Sequence, residues 1–427
     1  MNKIVISTLA ALALLSYTPT LKAQNSTEIV AKAVNTVQPQ ASMASLPTTT
    51  GPYQVGTDTF DWVDTSREDL LSADPHDHRE LMVQAWYPID NGTGKATETY
   101  IPATDQGVEK MIASMGLGKT FADINQLNTQ AYTNSVLSSK EAKYPIVLFS
   151  HGLGCSSWNY QWLTRELASQ GFIVFSIEHT HFSFGTEFDD GRFVPIAPQF
   201  LSGIPNLKEF DDAINQVWVK DIQFVIRQLD ILNKSDQKHQ FMNRLDLHSI
   251  AAVGHSFGGA AAARALQVEP MITSAINIDG AFVGLTGETG NMTKPFAFIA
   301  TEFNQKVFKG QAEQPLPPGL DAKTVQIMKD TFQVFRTRYQ QAVEGAAYDI
   351  SISGAEHMNF TDMPLLQPYL EGSPYAALPT GINPDRIHKW TNSIVLAFLE
   401  KTLRGKNNTI FDLDDKNLIV PEVTIIQ

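Results

Sequence analysis

The sequence predicts an α/β protein: a mostly parallel central sheet with helices on both faces. Three observations predict it. From residue 144 onward, short apolar runs alternate with longer stretches of helical periodicity, the pattern of strands joined by crossover helices. The runs at 145–150 and 172–177 lack polar alternation, as strands buried on both faces do. The hexapeptide Gly254-His255-Ser256-Phe257-Gly258-Gly259 lies between the apolar run 250–253 and the alanine-rich stretch 260–266, so it reads as strand, sharp turn, helix.

Along the chain, the first 23 residues read as a secretory signal peptide. Lys3 gives a positive start, residues 4–15 an apolar core, and Leu21-Lys22-Ala23 a small-residue exit. Export with cleavage near Ala23 is the expectation, to a periplasm or beyond. The apolar core is too short to span a bilayer, and no later window offers roughly 20 uninterrupted apolar residues. Residues 24–50 are rich in Ser, Thr, Gln and Ala without periodicity, which predicts a flexible lead-in. Residues 51–427 are expected to form one domain with insertions near 101–142 and 361–384.

Strands are predicted at 53–63 and 80–87, the latter by alternation of Leu81, Val83 and Ala85. The segment 101–142 lacks strand pattern, carries a short helical piece at 108–117, and is expected to cross the sheet. An amphipathic helix is predicted at 158–170, and a long one at 210–232 with Val217, Ile222, Val225 and Leu229 on one face. Strands at 274–278, 295–301 and 348–353 follow, interleaved with helices at 322–343 and 385–403. Cys155 is the only cysteine, so no intramolecular disulfide forms. The net charge of -13 leaves no basic stripe to meet a nucleic acid.

The G-x-S-x-G turn is the nucleophile elbow of α/β-hydrolases, and the glycines around Ser256 fit a turn where backbones pass too close for a Cβ. A serine hydroxyl needs a base to take its proton and an acid to hold that base. In this fold they follow in the order serine, acid, histidine. Only His357 and His388 lie after Ser256. His388 falls inside the closing helix, where a surface histidine is expected. His357 follows a strand end, where active-site residues of parallel sheets gather, and is read as the base. Two carboxylates, Asp279 and Glu302, sit just past strand ends between them, and position alone does not choose. The oxyanion hole needs two backbone N–H groups. Phe257, after the nucleophile, supplies one, and Leu153 in the turn His151-Gly152-Leu153-Gly154 is read as the other.

Trp158, Tyr160 and Trp162 are read as lining an acyl pocket or as core. His179-Thr180-His181 and His76-Asp77-His78 are read as polar loop residues rather than metal ligands, and no metal or cofactor is expected.

Several stretches resemble one family. These are Gly51-Pro52-Tyr53-Gln54-Val55-Gly56, the run from Tyr144 through Gly154, and Leu167 through Val174 with Glu178-His179. Gly254 through Gly259, Asp279, Ser353-Gly354, His357-Met358-Asn359-Phe360 and Leu396-Ala397-Phe398-Leu399 complete the series. Together they resemble the plasma-type platelet-activating factor acetylhydrolases and their bacterial relatives. The resemblance implies an α/β-hydrolase fold and a calcium-independent serine esterase with Ser256 as nucleophile, His357 as base and Asp279 as acid. Leu153 and Phe257 match the oxyanion donors, and Glu302 takes a structural role. The implied substrate is a phospholipid with a short sn-2 acyl group; a broad esterase or polyester hydrolase is the alternative, and a non-catalytic lipid-binding protein the remote one. The chain departs from the family at Thr180-His181, where arginine and aspartate often stand, and at 101–142 and 361–384. Contact of 108–117 and 363–370 with a lipid surface is the remaining partner expectation, against burial as the commoner fate.

Overall fold

The computed structural model describes residues 45–92, 95–115, 119–200, 206–238, 240–285, 291–316, 319–345, 347–370, 381–407, 410–412 and 422–426. The signal segment, most of the lead-in and residues 371–380 lie outside them. The strands are β1 (Gln54–Glu68), β2 (His78–Ile89), β3 (Ala131–Tyr132), β4 (Tyr144–Ser150), β5 (Ile173–Glu178), β6 (Gly185–Glu187) and β7 (Phe193–Pro195). They continue with β8 (Leu245–His255), β9 (Ile272–Ile278), β10 (Phe296–Thr301), β11 (Ala347–Ile352) and β12 (Val423–Ile426).

One sheet runs in the order β12-β11-β10-β9-β8-β4-β5-β2-β1-β3. The six strands from β11 to β5 are mutually parallel, and β2 and β12 close this run antiparallel on either side. The chain proceeds outward from β4 to β5, then returns to β8 on the other side of β4 and proceeds outward again. The crevice past the ends of β4 and β8 is therefore the switch point where such sheets build their sites.

The apolar runs are continuous because the sheet is covered twice. In β4, Ile146 and Leu148 join one core while Val147 and Phe149 join the other. Helices Val219–Ser235, Phe257–Val268 and Ala322–Val343 cover the first face. Helices Gln161–Ser169 and Pro384–Arg404 cover the second. Each fully buried Leu, Ile or Phe contributes about 1.5–3 kcal/mol. This is an α/β-hydrolase architecture.

Several elements differ from expectation. The helix expected to be amphipathic at 158–170 is a 3-10 turn, Ser157–Tyr160, followed by Gln161–Ser169, and all nine residues of the latter are buried. Its polar face is covered by residues 45–50: Glu166 accepts from the Thr50 amide and hydroxyl, and Arg165 donates to the Pro47 carbonyl. Those residues had been expected to be flexible, yet Leu46 is buried and Ser45 bridges Asn128. The long helix begins at Leu207 and contains a π-turn at Ala213–Trp218. The insertion 101–142 contributes the short edge strand β3. The hairpin of β6 and β7, helix Glu302–Phe308 and β12 carried no sequence pattern long enough to predict them.

A third apolar cluster joins the two insertions. Tyr100, Val108, Met111, Ile112 and Leu127 pack with Trp158, Met363, Leu366 and Leu370. Val108, Met111 and Ile112 of one segment thus share a cluster with Met363, Leu366 and Leu370 of the other. No helix among the described residues is long and apolar enough to cross a membrane.

Phe175 in β5 is fully buried against Phe60 and Phe241. Phe175→Ala is expected to lower the unfolding free energy by about 3–5 kcal/mol in a denaturant titration.

Candidate active site

The strand β8 ends at His255, and helix Phe257–Val268 starts two residues later. The turn between them forces Ser256 to φ 56° and ψ -121°, a region that non-glycine residues occupy only when held there. The Ser256 N–H donates to Ile278 O at 2.8 Å, and its carbonyl accepts from the Gly259 N–H at 3.0 Å. Two glycines make the approach possible. A Cβ at Gly254 would lie 2.2 Å from Gly258 O, and one at Gly258 would lie 2.2 Å from Ser150 O. The turn thus presses the helix Phe257–Val268 against the end of β4.

Ser256 Oγ lies 3.0 Å from His357 Nε2, and His357 Nδ1 lies 2.7 Å from Asp279 Oδ2. A carboxylate only accepts, so the proton of the neutral ring sits on Nδ1, which leaves Nε2 free to receive the serine proton. Asp279 is fully buried and turns out of β9 at φ 53°. Its Oδ1 accepts the Thr301 N–H at 2.9 Å, and its Oδ2 also accepts from Asn304 Nδ2 at 2.8 Å. These bonds fix the carboxylate from strand β10 and the helix after it. Glu302 is not part of the cluster: it is partly exposed and pairs with Lys306 at 2.5 Å. That pairing holds its carboxyl below the usual range.

The loop 151–154 lies beside the serine. Its Gly152 N–H donates to Tyr160 Oη at 2.9 Å, and its Gly154 N–H donates to Phe182 O at 2.8 Å. Among the described residues, no protein acceptor meets the N–H of Leu153 or of Phe257.

Two further residues brace this centre, and the sequence reading did not assign them there. His255 Nδ1 lies 2.9 Å from Tyr160 Oη, and its Nε2 lies 3.1 Å from the His357 carbonyl. That carbonyl can only accept, so Nε2 carries the proton and Tyr160 donates to Nδ1. One chain of bonds thus ties the Gly152 loop to the backbone of His357. Burial, with the neighbouring His357 second, holds the His255 imidazolium far below its ordinary range, so the ring stays neutral. The signal for His255 was its place inside the elbow motif. Tyr160, read as pocket or core, carried none.

Other expected residues lie elsewhere. Trp158 packs edge-on against Tyr100 at 5.5 Å. Trp162 stacks on His388 at 4.2 Å. His388 was expected at the surface but is buried, donating from Nε2 to the Thr361 carbonyl at 3.1 Å, because the insertion after His357 folds over it. Burial pushes its imidazolium down to about 4. His179 contacts Asp221 at 2.9 Å and Ser150 Oγ at 3.0 Å, and His181 contacts Asp69 at 3.4 Å. His76 and His78 are exposed. No group of three or more His, Cys, Asp or Glu side chains able to hold a metal occurs among the described residues.

Comparison with known proteins adds four findings. Residues 39–188 and 207–418 match the family model described as platelet-activating factor acetylhydrolase, isoform II. The chain is 28% identical over 414 residues to the platelet-activating factor acetylhydrolase of Cavia porcellus, covering 89% of this chain and 84% of that one. It is 26% identical over 280 residues to a probable 1-alkyl-2-acetylglycerophosphocholine esterase of Arthroderma benhamiae, covering 61% and 65%. Among solved structures, a ferulic acid esterase from Streptomyces cinnamoneus superposes with TM-score 0.68 at 24% identity, over 91% of this chain and all of that one, which speaks for the fold.

The buried histidines make stability depend on pH. Burial lowers the His179 imidazolium from 6.5 to about 3, so between those values the unfolded chain binds more protons than the folded one. Stability present above the upper value is then lost as pH falls toward the lower one. Denaturant titrations from about pH 7 to about pH 4 are expected to show this loss, and His179→Gln to lose less over the same window.

Proposed function

The chain belongs to the platelet-activating factor acetylhydrolase family, and from that premise we propose that it is an exported serine esterase releasing short sn-2 acyl groups from phospholipids through an acyl-enzyme on Ser256. That it is a carboxylic-ester hydrolase follows from the family. The observation that carries the finer reading is the unbroken line from Ser256 Oγ through His357 to Asp279.

In this mechanism His357 Nε2 takes the hydroxyl proton as Ser256 Oγ attacks the ester carbonyl. Asp279 stabilises the imidazolium that forms, without itself taking the proton. The carbonyl oxygen becomes an oxyanion and accepts from the N–H groups of Leu153 and Phe257, which have no competing protein acceptor among the described residues. His357 returns its proton to the leaving alkoxide, here the lysophospholipid. It then deprotonates a water that attacks the acyl-enzyme, releasing the acid and restoring Ser256.

The substrate class is supported by the Arthroderma relative, a probable 1-alkyl-2-acetylglycerophosphocholine esterase. Export is supported by the pattern of Lys3, the apolar core at 4–15 and the exit at Ala23. The two insertions share the cluster of Tyr100, Met111, Met363 and Leu366, and in this reading they limit acyl length.

Ser256→Ala is expected to abolish hydrolysis of a short p-nitrophenyl ester and labelling by a fluorophosphonate, and retained turnover would sink the mechanism. Asp279→Asn is expected to reduce kcat by on the order of 10⁴-fold with Glu302→Gln within a few-fold of the parent; the opposite ranking would make Glu302 the acid. Activity on phosphatidylcholines should fall steeply as the sn-2 chain lengthens, whereas a flat profile would favour a broad esterase.

A further inference from the structure

Leu153 and Gly152 share one peptide unit. In a planar trans peptide the C=O and the N–H point to opposite sides, so whatever holds the Gly152 carbonyl also aims the Leu153 N–H. Two groups hold it. The Cys155 N–H donates to Gly152 O at 3.0 Å, and His151 Nδ1 lies 2.7 Å from the same oxygen.

The carbonyl only accepts, so His151 carries a proton on Nδ1. Its other nitrogen agrees independently: Nε2 lies 3.0 Å from the backbone N–H of His179, which only donates. The ring is thus locked from both ends as the neutral Nδ1–H tautomer. It is fully buried against the Trp218 ring at 5.1 Å.

The partner that locks it is itself locked. The His179 ring meets Asp221 Oδ2 at 2.9 Å and Ser150 Oγ at 3.0 Å, and stacks on Trp218 at 3.8 Å. Asp221 receives Arg79 Nη2 at 2.7 Å and Nε at 3.0 Å. All five side chains are buried. Ser150, His179 and Asp221 therefore repeat the hydroxyl–imidazole–carboxylate line of the active serine in a place no substrate reaches. One end of the line is the residue before His151, and its middle member, His179, supplies the amide that His151 Nε2 accepts.

We propose that His151 is a positioning residue for ester hydrolysis: its Nδ1–H clamps the Gly152 carbonyl and so turns the Leu153 N–H toward the reacting oxygen, with the buried Ser150–His179–Asp221 line holding that tautomer. The proposal rests on Leu153 being an oxyanion donor. Burial holds the His151 imidazolium below its ordinary range, against the Glu178 carboxylate 3.9 Å from Nε2. A second proton would sit on Nε2 and face the His179 N–H, so the clamp requires the neutral ring.

Two substitutions separate a clamp from mere packing. In His151→Asn the amide nitrogen stands where Nδ1 stood and can still grip the carbonyl. In His151→Gln it stands one bond farther out, near the place of Nε2. The readout is kcat and KM for a p-nitrophenyl ester and for its thiono counterpart, per site titrated by a fluorophosphonate so that only folded enzyme counts. Sulfur accepts hydrogen bonds weakly, so dependence on the oxyanion donors appears as a preference for the oxoester. His151→Gln is expected to lose on the order of 100-fold in kcat with KM within a few-fold, and most of the oxoester preference. His151→Asn should stay within about tenfold of the parent and keep the preference. A His151→Gln enzyme with parental kcat and preference would overturn the clamp, as would equal losses in both variants. A parent enzyme with no oxoester preference would instead overturn the donor role of Leu153 and Phe257 on which the clamp rests.

Discussion

The backbone of Ser256 is the constraint on which the rest of the molecule depends. At φ 56° it occupies a conformation that costs a non-glycine residue about 1–3 kcal/mol. It persists because β8, the following helix and the end of β4 interlock around it, with Gly254 and Gly258 placed where any Cβ would collide with backbone. The same interlock sets the position of the hydroxyl, the start of the helix that presents the Phe257 amide, and the seat of the loop from His151 to Gly154. Relaxing the turn would separate all three at once.

Around that turn the protein places charge and its neutral counterparts differently. Carboxylates inside the fold are tied to several donors each, as Asp279 is to Thr301, Asn304 and His357, and as Asp221 is to Arg79, Arg67 and His179. The buried imidazoles of His151, His179 and His255 are instead held neutral by burial, each with its proton assigned by what its two nitrogens meet. Neutral rings with fixed tautomers are rigid spacers: they carry direction across the core without adding a charge near the serine.

The sheet was legible because doubly buried strands and their crossover helices carry long, periodic signals. Residues 145–150, 322–343 and 385–403 illustrate this. Ser256 and His357 were legible because a motif and simple elimination leave them few competitors, and the structure brings them within hydrogen-bond reach. Strand position could not separate Asp279 from Glu302, since both follow strand ends; the separation lies in the backbone turn at Asp279 that swings its carboxylate toward His357. The roles of Tyr160, His179 and Asn304 depend on tertiary contacts between residues 25 to 95 positions apart, which local pattern does not encode. Edge elements such as β3 and β12 are too short for any period to show.

The central claim, that ester cleavage passes through an acyl group on Ser256, is tested most directly by trapping that intermediate. A 2-acetylated phospholipid is mixed with the enzyme, the reaction is quenched in acid within one turnover, and the digested protein is mapped by mass spectrometry. The account predicts one acetyl group on the peptide containing Ser256, disappearing once substrate is exhausted. An acetyl group on another residue, or turnover with no covalent adduct at any quench time, would contradict it.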